Sequence, residues 1–319
     1  MLHIEFFGKN YRVLSFIQNL DCIITMNFED LIQEKSWSNY PVGLSGCRTG
    51  EFFLDSCDYD LTVFDNTSQP VEILKFQNDF VSVHHSSFSE TQSNKLIQFD
   101  NMQIIHDDSW ELRMFLSKIK EKRLILYKDH AKNSFIESLF CCEKTKKGIK
   151  EESVFASCWQ KCASYFLAEG ILALNQCKPS PTHMLDTLRR LEKTSVNEKI
   201  SIVNETVGIE RSTPSLLERM LKSTIGFSDL VEKNNHSLVI QQIHDYFAKN
   251  SMLSDCYFYL GYTNKENFIR IKDSIERQPD LFHILKISFD VQADINLLEQ
   301  HTKKVQKSAN EILDMVSKG

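Results

Sequence analysis

Hydrophobic and polar positions alternate with a period near two over much of the first 105 residues, and recur at helical spacing beyond residue 108. Strands are predicted over 3–7 and 11–17, split by Gly8, Lys9 and Asn10 as a hairpin turn. A helix fits 28–35 with Asn27 as its cap, and after Pro41 a short strand covers 42–44. The apolar run Leu61 to Phe64 reads as the next strand, followed by strands over 72–76, 80–84, 95–99 and 102–105. Strict alternation in Val81-Ser82-Val83-His84 marks a half-buried strand. Leu112, Phe115, Leu116 and Ile119 then set a helix over 110–122. Further helices are expected over 153–174, 181–191, 214–222, 237–249, 267–277 and 295–317. The stretch 143–152, with four lysines, reads as a solvated connector. The last helix carries Leu297, Leu298, Val305, Ala309, Ile312, Leu313 and Val316 as an apolar stripe, covered either by the body of the protein or by a second copy in a homodimer. The pattern is α+β: a mixed β-sheet domain over 1–125, then an all-helical domain over 126–319.

Composition adds three constraints. With 42% hydrophobic and 25% charged residues, the 319-residue chain has the make-up of a globular protein. No apolar run reaches the length of a membrane span, and the first residues lack a basic region and a signal-peptide core, so a cytoplasmic protein with no membrane partner is expected. Nine cysteines without a Cys-x-x-Cys pair argue against a disulfide framework. Cys158 and Cys162 share a helix face and are expected as buried free thiols.

Charge is unevenly spread. Residues 1–110 hold sixteen acids against six bases, whereas residues 111–319 hold twenty-seven against thirty-one. An acidic half suits a divalent cation, and a mildly basic half suits an anionic substrate. No stretch interleaves aromatics with bases, so no extended nucleic-acid groove is indicated.

The densest chemistry lies in residues 43–61. A Gly/Ser-rich turn (Ser45, Gly46, Gly50) leads into Asp58 and Asp60, which enter the apolar run from Leu61. On a strand, period two puts both carboxylates on one face, with Tyr59 and Leu61 on the other. Adjacent carboxylates repel, and a divalent cation lets both stay ionised. A small-residue turn beside them offers backbone N–H groups to a phosphate. The plainer alternative is a polar loop entering a half-buried strand.

This segment resembles the polymerase-beta-like nucleotidyltransferase superfamily, whose signature is a small dipeptide, a loop of about ten residues, then Asp-hydrophobic-Asp-hydrophobic. Ser45-Gly46 takes the place of the dipeptide (in the order Ser-Gly rather than Gly-Ser), Cys47 to Cys57 the loop, and Asp58-Tyr59-Asp60-Leu61 the metal-binding end. Gly50-Glu51 and Asp55-Ser56 match family details, with Cys57 as one inserted residue. The resemblance implies a nucleotidyltransferase-type sheet domain and a Mg2+-dependent enzyme that transfers an NMP group from an NTP to an acceptor hydroxyl, releasing pyrophosphate. Asp58 and Asp60 would hold Mg2+, and Ser45, Gly46 and Arg48 would bind the nucleotide. The acceptor is unnamed, a small molecule being preferred.

The family's third carboxylate has no plain counterpart. The inward positions of the 80–84 strand are Ser82 and His84; Asp79, Asp107 and Asp108 are the acids nearby, with Asp108 taken as the catalytic candidate. Asp107 and Asp108 equally suit an N-cap and first-turn acid of the next helix. Without a third acid, the alternative is a catalytically degenerate module that binds nucleotide or a protein partner. Ala173-Leu174-Asn175, Pro179-Ser180-Pro181 and His183-Met184-Leu185 more loosely resemble the helical domain of small-molecule nucleotidyltransferases. That resemblance makes Lys161, Arg189 and Arg190 candidates for reaching a triphosphate, alongside the plainer reading of surface charges on amphipathic helices.

Overall fold

The computed structural model describes residues 26–50, 53–231, 234–276, 280–291 and 294–318. The hairpin expected over 3–17 lies outside the described residues. The described residues form two compact units, one comprising those from 26 to 91 and 98–121, the other those from 92 to 97 and 122 to 318.

The first unit is a five-stranded mixed sheet: β1 (Val42–Ser45), β2 (Tyr59–Val63), β3 (Glu72–Phe76), β4 (Asp79–His85) and β5 (Gln103–His106), in the spatial order β3-β4-β2-β1-β5. β2 runs antiparallel to β1 and parallel to β4, with Ser45 opposite Asp60 and Asp60 opposite Ser82. The register gives the sheet two unlike faces. Leu44, Tyr59, Leu61, Val63, Val81 and Val83 point to one side and pack on helix α1 (Phe28–Glu34) through Phe28, Leu31 and Ile32. The Phe28 and Tyr59 rings meet edge to face at 5.4 Å. Asn27 caps α1, accepting from Glu29 N–H as expected. Asp60, Thr62, Ser82 and His84 alternate onto the opposite face.

Beyond the sheet, Phe64, Phe88, Phe99 and Phe115 form an aromatic cluster under helix α3 (Glu111–Glu121). The expected strand over 95–99 is instead helix α2 (Ser93–Leu96) running into a 3-10 turn, Ile97–Phe99. The helical turns bury Ile97 and Phe99, two of the apolar positions whose alternation suggested a strand.

The second unit holds helices α4 (Arg123–Lys150), α5 (Ala156–Leu174), α6 (Met184–Arg190), α7 (Ile200–Val207), α8 (Pro214–Val231), α9 (His236–Lys249), α10 (Leu253–Glu276), α11 (Asp280–Ser288) and α12 (Ile295–Lys318). The connector expected over 143–152 is largely the end of α4. Beyond Phe135, the buried residues of α4 are Ser138, Cys141, Cys142, Thr145 and Gly148, small residues that hydropathy hardly registers, with the lysines turned outward. α4 packs on α5, where Gly170 accommodates the Phe135 ring: a Cβ there would lie 2.4 Å from it. The stripe on α12 is covered within this unit, Val305, Ala309 and Ile312 being fully buried. Helices α8 and α10 are longer than their sequence patterns suggest, and α4, α7 and α11 are additional. Among the described residues, no helix is long and apolar enough to cross a membrane.

Candidate functional site

β1 ends in Ser45, and the chain turns at Gly46 into a 3-10 turn, Cys47–Thr49. Gly46 has φ +79° and ψ −162°, a region essentially closed to residues with a Cβ. A Cβ there would lie 1.8 Å from Asp60 Oδ2. Glycine is therefore required twice, by its backbone conformation and by the carboxylate against which the main chain lies. Ser45 is buried and its hydroxyl donates to the Asp60 carbonyl at 3.4 Å, tying the turn to β2. Thr49 Oγ1 closes the turn by donating to the Gly46 carbonyl at 3.0 Å.

Asp58 and Asp60 lie on the face away from α1, as alternation requires. Ser82 on β4 donates to Asp58 Oδ2, and His84 Nε2 stands 3.4 Å from Asp60 Oδ1. Burial and the neighbouring Asp60 charge push the Asp58 carboxyl up to about 7, against the lowering effect of the Ser82 hydrogen bond. Burial opposes charge on His84, but its bond to Asp60 and the charges of Asp60 and Asp58 outweigh that, so the imidazole lies above its ordinary value. The constellation is thus two carboxylates, a hydroxyl and an imidazole, with Asp58 and His84 both displaced toward their protonated forms, which offsets the acidic charge.

The residues fit a divalent cation in two respects. The donor set is a carboxylate pair whose joint ionisation the protein penalises, and Gly46 leaves backbone rather than side chain beside Asp60. Among the described residues, Asp58 and Asp60 form no mutual three-ligand group with another His, Cys or carboxylate, so the donors are a pair.

The three acids considered for the third position are placed elsewhere. Asp108 is a correction: β1 pairs Val42 with His106, so β5 delivers Asp107 and Asp108 at the end of the sheet opposite Ser45 and Asp60. Its side chain is 92% exposed, at 4.0 Å from His106 Nε2. Asp107 caps α3, accepting from the N–H groups of Leu112 and Arg113. Asp79 has the parity of Val81 and Val83, so it belongs to the Tyr59 face. Ser82 and His84 occupy the inward positions of β4.

Arg48 is a second correction. Its guanidinium is buried on the Tyr59 side, 4.3 Å from the ring centroid, and donates to the carbonyls of Cys57 (2.9 and 2.6 Å) and Asp55 (3.2 Å), with Asp79 Oδ1 at 3.6 Å. It braces the loop from beneath instead of facing the carboxylates. An arginine between two turn glycines reads in sequence as an anion ligand; the carbonyls that need it come together only when the loop folds.

Alternation separates the two adjacent histidines. His84 faces Asp60, while His85 Nδ1 pairs with half-buried Asp65 Oδ2 at 2.7 Å. The cations proposed in the helical half have partners there. Lys161 is buried, donating to the Val207 carbonyl at 2.8 Å and to Tyr257 at 2.9 Å; burial holds its pKa down at about 8. Arg189 pairs with Asp255 at 2.9 Å and Arg190 with Asp186 at 2.8 Å. Cys158 and Cys162 are buried free thiols.

No protein-family model matches this sequence, and no curated protein does. Among solved structures, the chain is similar to a nucleotidyltransferase-like protein from Exiguobacterium sibiricum, at 13% identity and a TM-score of 0.30, over 70% of this chain and 90% of that one. That identity and that score leave the functional reading to the site itself.

Proposed function

We propose that the sheet unit is a nucleotidyltransferase-type site that binds a nucleoside triphosphate through Mg2+ held by Asp58 and Asp60. The observation that carries this reading is the Gly46 main chain lying against the Asp60 carboxylate, within the Ser-Gly, loop, Asp-x-Asp pattern. A bound Mg2+ would neutralise the carboxylate pair and bridge it to phosphate oxygens. Gly46 would let the main chain approach the Asp60 carboxylate closely, and the Arg48-braced loop would hold Asp58 in place.

Ser82 stands where the family resemblance calls for a third carboxylate. A hydroxyl donating to Asp58 neither binds a second cation strongly nor removes an acceptor's proton at neutral pH. This favours a module that binds or senses nucleotide over a fast transferase. One observation supports the transferase: His84 lies beside Asp60 on the same face. In that reading His84 takes the acceptor's proton during NMP transfer to a small-molecule hydroxyl, and turnover increases as pH rises through the elevated imidazole pKa.

The test is thermal unfolding with each NTP, with and without Mg2+, on wild type and Asp58→Asn. Saturation at about one hundred times Kd adds roughly 2.7 kcal/mol of native stability. A Mg2+-dependent shift with one NTP, absent in the variant, is the expected result; no shift with any NTP overturns the reading. Pyrophosphate release then separates the module from the transferase.

A further inference from the structure

Cys47 directly follows the Ser45-Gly46 turn and Cys57 directly precedes Asp58, so the two face each other across the neck of the β1–β2 loop, beyond the Ser45–Asp60 pair. Their Sγ atoms lie within 4.8 Å of each other, and a side-chain hydrogen bond joins them. Both are free thiols, Cys57 buried and Cys47 partly open. Arg48 anchors the Cys57 carbonyl, so the closed neck is held by contacts independent of the sulfurs. Cys158 and Cys162, by contrast, are both fully buried inside α5, away from any soluble oxidant.

We propose that Cys47 and Cys57 are a redox pair that closes to a disulfide across this neck and thereby weakens the cation and nucleotide site; the second clause rests on the function proposed above. The oxidant is a low-molecular-weight disulfide such as oxidised glutathione. The more open Cys47, as thiolate, attacks one sulfur of that disulfide, forming a mixed disulfide and expelling one glutathione thiolate. The Cys57 thiolate then attacks Cys47 Sγ, forming the intramolecular bond and expelling the second. Two protein thiols and one glutathione disulfide become one protein disulfide and two glutathione thiols, with the two protons passing to the leaving thiolates.

Bonding brings the sulfurs to roughly 2.05 Å, and the required movement falls on the residues next to them. Those residues are Gly46 and Asp58, the close-approach glycine and one of the two carboxylates. Reversible disulfides of this kind are the usual form in reducing compartments, where they act as sensors.

The experiment treats the folded full chain with an excess of oxidised glutathione at about pH 8.5 for several hours, because the hydrogen bond to Cys57, burial and the nearby carboxylates push the Cys47 thiol up and slow its attack. Blocking of remaining thiols, peptide mapping and Mn2+ binding by electron paramagnetic resonance follow. A cross-linked peptide joining positions 47 and 57 is expected, absent in C47S and C57S and reversed by dithiothreitol. Oxidised wild type is expected to bind Mn2+ at least about fivefold more weakly than reduced, while C57S keeps its affinity through the treatment. Absence of the cross-link overturns the pair, and a cross-link with unchanged Mn2+ affinity overturns its control of the site. Failure of the reduced wild type to bind Mn2+ counts against the site's function, and the peptide map still decides the pair.

Discussion

A methyl group at position 46 would sit 1.8 Å from a carboxylate oxygen, and the same carboxylate sits two residues from one whose proton is hard to remove. Asp58 gives the site a definite pH dependence. Its folded pKa, raised to about 7 first by burial and then by Asp60, stands above the unfolded value of 3.8. Between those values the native state holds a proton that the unfolded chain has released, so stability falls as pH rises through this window and levels off above it. Asp58→Asn removes that penalty. In the absence of cation, the variant is expected to melt above wild type at pH 8, with the gap closing as pH falls toward 4 and narrowing when millimolar Mg2+ is added at pH 8. A gap independent of pH and Mg2+ would mean that Asp58 is not a strained carboxylate.

Among local elements, the loop from Gly46 to Asp58 shows how an apparent ligand can be a brace. Arg48 satisfies two carbonyls and stacks on Tyr59, which itself packs on α1. Arg48→Met should cost about 2–4 kcal/mol in urea unfolding, since buried carbonyls lose charged donors. Arg48→Lys should recover less than half of that, because a single ammonium cannot reproduce the fork. If Arg48 instead faced phosphate, Arg48→Met would leave stability intact and lower only nucleotide affinity. The same physics explains α4: its Ser, Cys, Thr and Gly stripe fits close to α5 because small side chains permit close packing, with Ser138 donating to the Ala163 carbonyl at 2.7 Å.

For the molecule as a whole, the two units rest on different kinds of core. The sheet unit is a two-faced sheet with one apolar side, whereas the helical unit buries an ionic group at its centre. Lys265 on α10 is 1% exposed and pairs with Glu169 on α5, which also accepts from Tyr262 at 2.6 Å. Burial disfavours the Lys265 charge, yet Glu169 more than compensates and holds its pKa well above the usual value. Lys265→Met should destabilise this unit by roughly 3–5 kcal/mol by stranding Glu169, and the double variant Lys265→Met/Glu169→Leu should regain most of that loss. Calorimetry of the three variants checks it; an additive double variant would show that the two charges are not coupled.

The local pattern by itself determined the strands that position the site, because period-two alternation with one apolar face can be satisfied in only one register. Counting residues along each strand likewise put Asp58 with Asp60 and Ser82 with His84, and the parallel pairing of β2 with β4 brought the two pairs onto one face. The Asn27 cap and the amphipathic helices were equally legible, each being a local preference. Tertiary structure alone decided which charged groups face the site: sheet order carries Asp108 to the wrong end, and loop closure turns Arg48 under the sheet. It also decided that residues 143–150 are the end of α4 and that 95–99 is helical, because the packing of small residues and the burial of Ile97 and Phe99 depend on neighbours distant in sequence. Proximity of Cys47 to Cys57 belongs to the same class, since ten residues of loop set no distance until β1 and β2 pair.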